Sequence, residues 1–429
     1  MMKYVVLIGD GMADRPNEAL GGLTPLQKAV TVNMDRLAST GEIGMVRTVP
    51  GGFPPGSDVA NLCILGYDPA RYYCGRAPLE AASMGISLEP TDVAFRCNLV
   101  CLNFDAPDAK GGQGGQGELS GGWSDKTIME DYSSGHISTQ EAKALIDSLN
   151  EQLSGDRIKF YHGVSYRHLM RLKTNDDKEA EDYVNLKCTP PHDITGREAS
   201  VFLPTGNVSR LILDAMYRSI DVLRAHPVNA KRRQEGKRIA NSIWLWGQGR
   251  RPNMPPFKEK YGIEGSLISA VDLTRGLGLC AGFNIIKVPG ATGYLDTNYA
   301  GKAAYGVDAL KDVDFVYIHV EAPDEAGHSG RLDDKLKAIE DFDRLVVGNV
   351  MEGLKTLKDD YRVLLMPDHA TPLSLKTHTD EPVPFVVYDS RHPKDNGNLS
   401  YDEGIATRKD IMTFDEGHRL MDYFINPQQ

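Results

Sequence analysis

The sequence lacks several features that would place a protein in a broad class. No two of its six cysteines form a CxxC pair, and no apolar stretch approaches the ~18 residues that a membrane-spanning helix needs. Basic residues are in deficit, because the formal net charge of the 429 residues is −11. These absences argue against a disulfide scaffold, a membrane span and a nucleic-acid partner. The first residues run into an apolar strand without a charged-then-apolar leader, so we expect a reduced, cytoplasmic protein.

An internal repeat and a GxxxxGK[ST] phosphate-binding loop are also lacking. The glycine-rich stretch GGQGGQGELSGG at residues 111–122 is too irregular to cradle a phosphate and predicts a flexible loop. A chain of 429 residues exceeds one ordinary hydrophobic core, so we expect two domains.

Strands and helices alternate on both sides of residues 91–240, which favours a doubly wound, mainly parallel α/β sheet. We therefore predict a catalytic domain from residues 1–90 plus 241–429, and an inserted smaller α+β domain from residues 91–240. In the catalytic domain we expect strands at 4–9, 243–247 and 283–288, a helix near 265–277 and a long helix at about 332–354. In the insert we expect strands at 93–100, 158–161 and 168–172, and helices at about 138–153 and 208–225.

Carboxylates and imidazoles follow apolar runs in the last third of the chain. Asp324 and His328 stand four residues apart beyond the run FVYIHV, and both would point the same way if the segment is helical. Asp368 and His369 directly follow the run VLLMP. A single such residue is more often a turn or a satisfied polar group than a ligand. Their recurrence at several strand ends indicates a site instead.

Two further residues extend this pattern. His378 stands directly before another apolar strand, and Asp10 follows the first apolar run of the chain. Oxygen and nitrogen donors without thiolates are what a divalent-metal site uses. The mixture suits Mn²⁺ or Zn²⁺, with Mg²⁺ less favoured. We therefore predict that Asp10, Asp324, His328, Asp368, His369 and His378 bind metal.

Ser57 opens a helix after a rigid loop rich in proline and glycine. Backbone N–H groups and the positive end of the helix would gather an anion there. A serine at this place also fits an ordinary N-cap. With the predicted metal site beside it, Ser57 becomes a candidate nucleophile, because a divalent ion lowers the pKa of a hydroxyl and orients it.

These motifs, in this order, resemble the alkaline phosphatase superfamily, and more closely the archaeal-type cofactor-independent phosphoglycerate mutases. The resemblance runs along essentially the whole chain and rests on GDGMADRP, GSDVANL, VEAPDEAGH, MPDHATP and THTDEPVP. It implies two divalent metal ions and a serine that is phosphorylated during turnover. One ion would be bound by Asp324, His328 and His378, and the other by Asp10, Ser57, Asp368 and His369.

The sequence departs from the family pattern in the inserted domain. Family members that act on phosphoglycerate carry several arginines there, whereas residues 131–137 of this chain read DYSSGHI. Guanidinium groups suit phosphate and carboxylate because they pair with both in a bidentate manner. The substrate-binding candidates that the resemblance leaves are Arg96, Arg167, His168, His192 and Asp193, with Arg76 as a further arginine.

Three functions are consistent with these residues. One is the interconversion of 2-phosphoglycerate and 3-phosphoglycerate without bisphosphoglycerate, acting on a small phosphorylated metabolite. The second, suggested by the less cationic insert, is a homoserine kinase that transfers phosphate from a nucleotide to an amino-acid alcohol at the same Ser57 centre. The third is a binding protein that has kept the fold and lost the chemistry, which the intact nucleophile and ligand set argue against. The sequence leaves the oligomeric state open.

Overall fold

The structure is a computed structural model that describes residues 2–104 and 123–427, so the glycine-rich stretch at 111–122 lies outside the described residues. The strands are β1 (Lys3–Gly9), β2 (Glu42–Val46), β3 (Val93–Asn103), β4 (Ile128–Asp131), β5 (Ile158–Tyr161), β6 (Arg167–Leu172), β7 (Ser242–Arg250), β8 (Gly265–Ile268), β9 (Asn284–Ile285), β10 (Phe315–Val320), β11 (Tyr361–Met366), β12 (Val383–Asp389) and β13 (Met412–Phe414).

The helices are α1 (Pro25–Lys28), α2 (Val32–Thr40), α3 (Ser57–Ile64), α4 (Pro69–Tyr72), α5 (Arg76–Ser83), α6 (Thr139–Leu153), α7 (Asp177–Val184), α8 (Ser209–Arg224), α9 (Pro227–Gln234), α10 (Phe257–Tyr261), α11 (Asp272–Cys280), α12 (Tyr299–Ala309), α13 (Ala322–Ser329), α14 (Leu332–Asp341), α15 (Gly348–Thr356) and α16 (Arg419–Ile425). A π-helical segment, Phe342–Val347, joins α14 to α15. Over the described part of the chain, no helix combines the length and the apolar character needed to cross a lipid bilayer.

The chain divides into two compact units. The first, here the outer-chain unit, consists of Met1–Tyr73 and Asn253–Gln429, and the second, here the middle unit, is Cys74–Pro252. The predicted boundaries at 91 and 240 both fall inside the middle unit, which also takes in α5 and β7.

The outer-chain unit is built on a sheet of eight strands in the order β13-β2-β12-β11-β1-β10-β8-β9. Its centre is parallel, because β1 pairs in parallel with both β10 and β11. β12 runs antiparallel to β11 and to β2, so the sheet is mixed but mostly parallel. The central strands are apolar along almost their whole length because residues on both sheet faces are buried. The expectation of a mainly parallel α/β fold is confirmed.

The middle unit has a five-stranded sheet of its own. β4, β3, β6 and β5 follow one another in that order, and β7 pairs with β3. The long helix α8 buries an apolar face that includes Met216, Ile220 and Leu223, as the spacing of these residues predicts. α6 begins at a capping box in which Ser138 and Glu141 bond reciprocally, which confirms the predicted start of that helix.

Three expectations about strands and helices are corrected. The run at 243–247 does form a strand, but β7 pairs antiparallel with β3 in the sheet of the middle unit, whereas the predicted boundary at 240 had placed it in the catalytic domain. An apolar run of this kind fits any strand that is buried on both faces, so its pattern does not select the sheet.

The stretch near Gly265 begins as a strand. β8 pairs in parallel with β10, and α11 starts only at Asp272, where the prediction had a helix from about 265. A Cβ on Gly265 would lie 2.7 Å from the Phe283 ring, so this position allows close approach to a neighbouring chain segment. The expected strand at 283–288 is reduced to Asn284–Ile285.

Candidate active site

Neighbouring strands bring three carboxylates of the outer-chain unit to one edge of the sheet. In the parallel register Gly9 lies opposite Val320, and Ile8 lies opposite Met366. β1, β10 and β11 therefore end together, at the edge where open α/β sheets bind ligands. Asp10 follows β1, Asp368 follows β11, and α13 carries Asp324 directly after β10.

Asp324, His328 and His378 form what we call the outer cluster. Asp324 and His328 lie one turn apart on α13, and His328 Nε2 is 3.3 Å from Asp324 Oδ2. The His378 Nε2 lies 3.5 Å from Asp324 Oδ1 and 2.9 Å from the His328 Nε2. On the far side of its ring, His328 Nδ1 is 3.0 Å from the carbonyl oxygen of Lys376. Nδ1 can donate a hydrogen bond to that carbonyl, so Nε2 faces the cluster, as it would in a metal-binding histidine.

In the outer cluster, the charges of the carboxylate and of the imidazoles strongly shift one another's pKa values. Burial alone would raise the pKa of Asp324, but the imidazoles of His378 and His328 outweigh it and hold that pKa well below its ordinary range. Burial alone would lower the pKa of His328, but the Asp324 carboxylate raises it to about 9. The cluster therefore favours positive charge beside an ionised carboxylate.

Asp10, Ser57, His319 and Asp368 form the inner cluster, with His369 between the two clusters. The His369 Nε2 lies 3.5 Å from Asp10 Oδ1, 3.5 Å from Asp368 Oδ2 and 3.1 Å from the Ser57 hydroxyl. The His369 and His378 rings are only 4.3 Å apart between centroids. His369 thus contacts residues that the family resemblance assigns to different ions.

Asp368 is held firmly, whereas Asp10 is not. Backbone N–H groups of Gly11 and His369 donate to Asp368 Oδ1, at 3.0 and 2.9 Å, and the Asn61 amide donates to Oδ2 at 2.8 Å. Gly11 has φ +59°, and a Cβ there would lie 2.5 Å from Asp324 Oδ1, so this turn needs glycine. The buried Asp10 Oδ1 has no hydrogen-bond partner among the described residues.

The pKa values of the inner cluster are displaced in opposite directions. Burial raises the pKa of Asp10 well above its usual range, and the neighbouring charges of Asp368 and Asp324 raise it further. Burial also lowers the pKa of His369 to about 4, so its ring is neutral at neutral pH. Titratable groups pushed apart in this way are typical of functional sites.

Ser57 is the first residue of α3 and not its cap. Gly56 occupies the N-cap position, so the ordinary capping role that a serine has at a helix start is not the role of the Ser57 hydroxyl. That hydroxyl lies 3.1 Å from His369 Nε2. Further along the helix, the Asn61 amide donates to the Ser57 carbonyl at 2.8 Å and to Asp368, which ties α3 to the end of β11.

His319 was missed by the sequence reasoning. It lies within β10, fully buried, with Nε2 3.4 Å from Asp10 Oδ2 and Nδ1 3.4 Å from Glu321 Oε1. Burial lowers its pKa, but contacts with Asp368 and Glu321 outweigh that effect and raise it to about 8. The available signal was a single imidazole in the otherwise apolar run FVYIHV, directly before the Asp324 motif.

In the middle unit, one face of the sheet is lined by aromatic rings and arginine. Arg96 stacks on the Trp246 ring at 4.3 Å, and its Nε lies 3.1 Å from Glu80 Oε2. His192 packs edge-on against the same Trp246 at 5.4 Å. Arg167 lies over the Tyr166 ring at 5.4 Å. Burial lowers the pKa of Arg96, and after the opposing effect of Glu80 the charges of Arg76 and Arg167 lower it further.

The other two candidates in the middle unit lie differently. His168 follows Arg167 on β6, so its side chain points to the opposite sheet face, where it is buried. Its Nδ1 accepts from the Gly163 N–H at 3.0 Å, and burial lowers its pKa to about 3. Asp193 is exposed, with His192 Nε2 3.6 Å away. The structure therefore brings Arg96, Arg167 and His192 to one aromatic face and leaves His168 apart from it.

Comparisons with known proteins agree on one family. A profile described as 2,3-bisphosphoglycerate-independent phosphoglycerate mutase matches residues 38–229. A protein of that name from Methanosarcina barkeri is 50% identical over 407 residues, which are 95% of each chain. This chain belongs to that family. A protein from Geobacter sulfurreducens named as a probable mutase of the same kind is 50% identical over 425 residues, 99% of this chain and 100% of its own. The chain is thus an enzyme of the cofactor-independent phosphoglycerate mutase type, and the resemblance drawn from the motifs is confirmed.

Solved structures support the family fold. A protein of Pyrococcus horikoshii aligns with 100% of this chain and 98% of its own, with a TM-score of 0.77 and 28% identity. A cofactor-independent phosphoglycerate mutase from Thermoplasma acidophilum aligns over 100% of both chains, with a TM-score of 0.63 and 23% identity. At that identity the second match shows the fold alone.

The residues present fit the two divalent ions that the family resemblance implies. Two groups of side chains have ligand atoms within 4.8 Å of one another, Asp324 with His369 and His378, and Asp10 with His319 and Asp368. The donors are imidazole nitrogens and carboxylate oxygens, which suit borderline and hard divalent ions. Within the second group, the buried Asp10 Oδ1 has no hydrogen-bond partner among the described residues, and a cation would satisfy it.

Proposed function

We propose that this mutase-family enzyme interconverts 2-phosphoglycerate and 3-phosphoglycerate by phosphoryl transfer through Ser57, without bisphosphoglycerate. The observation that carries the proposal is the position of the Ser57 hydroxyl, 3.1 Å from His369 Nε2 and beside the paired carboxylates of the inner cluster. The names of the relatives favour phosphoglycerate over homoserine as the substrate. The homoserine kinase, which only the less cationic sequence of the insert suggests, stays a prediction and enters as an arm of the test.

Ser57 acts as the nucleophile in this proposal. At the first position of α3, the backbone N–H groups of the opening turn have no partner within the helix, so they can donate to phosphate oxygens. The neutral His369 Nε2 can accept the proton of the serine hydroxyl, which would leave the serine oxygen more nucleophilic, or it can help to hold a metal ion.

We assign two divalent ions, Mn²⁺, Zn²⁺ or Mg²⁺, to the two clusters. Asp324, His328 and His378 would hold one, and Asp10, Ser57, Asp368 and His369 the other. When bound, such ions would lower the pKa of the serine hydroxyl and neutralise negative charge on the phosphoryl group during its transfer. Mixed imidazole and carboxylate donors favour Mn²⁺ or Zn²⁺.

The transfer balances in two steps. First, a bond forms between the Ser57 oxygen and phosphorus while the bond from phosphorus to one glycerate oxygen breaks, and the proton that the serine loses is taken up by that oxygen. The second step is the reverse at the other hydroxyl, which returns the serine to its starting state. No phosphate donor other than the substrate is consumed.

We assign acceptor selection to the middle unit and chemistry to the outer-chain unit, close to the division predicted at residues 91 and 240. Arg96 and Arg167 offer guanidinium groups for phosphate or carboxylate, and His192 and Asp193 offer polar contacts for hydroxyls. Because His168 is buried and accepts a backbone N–H, we assign it to support of β6.

A parallel assay tests the substrate. The purified enzyme, loaded with Mn²⁺, is given either 2-phosphoglycerate or homoserine with ATP, and the products are followed by ³¹P NMR. We expect turnover of the first substrate only. Turnover of homoserine alone would show that the enzyme is a kinase and not a mutase. If the protein binds no metal and turns over neither substrate, the third function, a binding protein without catalytic activity, would be supported.

A further inference from the structure

His319 is a buried imidazole without an ordinary hydrogen bond. Its side chain has no exposed surface, and neither Nδ1 nor Nε2 has a hydrogen-bond partner among the described residues. The Nε2 atom faces two carboxylate oxygens, at 3.4 Å from Asp10 Oδ2 and 3.9 Å from Asp368 Oδ2. A polar ring in this position needs a partner, because burying it without one is costly.

The other side of the ring faces a fixed carboxylate. Glu321 Oε1 lies 3.4 Å from His319 Nδ1 and accepts from the Ser269 hydroxyl at 2.7 Å. Glu321 Oε2 accepts from the buried Lys302 ammonium at 2.6 Å, and the same ammonium donates to the His319 carbonyl at 2.8 Å. An anionic Glu321 favours a proton on Nδ1, so a cation that displaces the proton from Nε2 would meet a lone pair that faces Asp10 and Asp368.

We propose that His319 binds, through Nε2, the metal ion shared with Asp10 and Asp368, and that Glu321 and Lys302 hold the ring in place. The proposal rests on the metal centre assigned above and adds a ligand to it. Two donors bound at about 2.1 Å in a tetrahedral site are about 3.4 Å apart, which matches the distance from Nε2 to Asp10 Oδ2. A carboxylate behind a histidine is also the usual way in which a metal-bound imidazole is oriented.

Cobalt gives a direct test. In enzyme loaded with paramagnetic Co²⁺ and labelled with [¹⁵N]histidine, each metal-bound imidazole gives a hyperfine-shifted N–H signal in the NMR spectrum. We expect signals from His319, His328, His369 and His378 in the unaltered protein. His319→Gln should remove one signal and keep the others, while His392→Gln, at an exposed histidine of the same unit, should remove none.

The outcomes separate this proposal from the function on which it rests. If bound Co²⁺ gives shifted signals that are the same in His319→Gln, then His319 only positions Asp10 and the proposal is overturned. If the protein binds no Co²⁺ at all, the metal centre itself fails. Should His319→Gln not fold, the unaltered protein still decides, because only three shifted imidazole signals in it would overturn the proposal.

Discussion

The inner cluster and the aromatic face of the middle unit place functional side chains in opposite ways. In the inner cluster Asp10, His319 and Asp368 are almost fully buried at the ends of central parallel strands, and backbone N–H groups fix Asp368. On the aromatic face Arg96 is buried by stacking on Trp246, whereas His192 keeps 44% of its side-chain surface exposed. The first arrangement fixes the positions of its side-chain atoms, and the second presents a surface on which side chains can change without disturbing the proposed metal ligands.

The same two regions differ in how the sequence matches the family pattern. The motifs that carry the proposed metal ligands are all present, and each of these residues is placed by a strand end, a turn or a helix. The stretch at 131–137 carries DYSSGHI where arginines are expected, and there the structure has Asp131 bonded to Ser133 and to Arg238. Arg238 therefore forms a structural ion pair with Asp131 of that stretch. If the two regions have separate roles, substitutions in them will give different kinetic signatures.

The largest effect should come from Ser57→Ala. Loss of the nucleophile should reduce mutase turnover by roughly 10⁴-fold or more, as for other covalent catalysts. Ser57→Thr keeps a hydroxyl and should retain a trace of activity. Rapid quenching followed by mass spectrometry should place a phosphate on Ser57 in the unaltered enzyme. A phosphate found only on another residue would show that the nucleophile is elsewhere.

Asp324→Asn should have the next largest effect, because the outer cluster loses its only carboxylate. We expect one ion to be lost per chain, measured by elemental analysis, and activity to fall by roughly 10³-fold, since a bound ion contributes several kcal/mol to the transition state. Asp333→Asn, at an exposed position of α14, is the matched control and should change neither quantity. Full metal content in Asp324→Asn would contradict the assignment.

Arg96→Gln should act on substrate binding instead. Loss of a charged hydrogen bond to the substrate would lower kcat/KM by about 10–100-fold, mainly through KM, while the two metal ions remain bound. Arg210→Gln, on an exposed position of α8, is the control. A fall in kcat with unchanged KM would break the separation of roles between the two regions.

The last prediction concerns stability at acid pH and not turnover. Burial lowers the pKa of His168 to about 3 in the folded chain, whereas in the unfolded chain the pKa of a histidine is about 6.5. Between these pH values His168 is therefore protonated in the unfolded chain and neutral in the folded one. As the pH is lowered through that window, the free energy of unfolding should therefore fall by about 1.4 kcal/mol per pH unit from this residue alone.

Tryptophan fluorescence measures this effect selectively. All three tryptophans, Trp123, Trp244 and Trp246, belong to the middle unit, so urea unfolding followed by fluorescence reports on that unit. His168→Asn keeps an acceptor near the Gly163 N–H and removes the titration, so it should flatten the pH dependence. His136→Asn, at an exposed histidine of the same unit, should leave the slope unchanged. Equal slopes in all three proteins would refute the assignment.

Much of the site was predictable because its residues sit in local patterns. Apolar runs gave β1, β10 and β11, and the residues just beyond them included Asp10, Asp324 and Asp368. The four-residue spacing of Asp324 and His328 placed both on one helix face, as α13 shows. These features depend on periodicity and on strand ends, which are local properties of a chain.

Other features depended on which segments meet. β7 reads as a buried strand, but only its pairing with β3 assigns it to the middle unit and moves the boundary from 240 to beyond Arg250. Contacts between distant segments likewise bring His369 to both clusters and form the aromatic face around Trp246.

The sequence by itself determined the fold class, the family and most of the metal-binding candidates, because apolar periodicity and short motifs at strand ends are written in consecutive residues. Only the tertiary structure decided that His319 faces Asp10 and that His168 lies away from Arg96. An imidazole inside a strand is buried in either case, and its neighbours are set by strand register and by the side of the sheet, which no local pattern encodes.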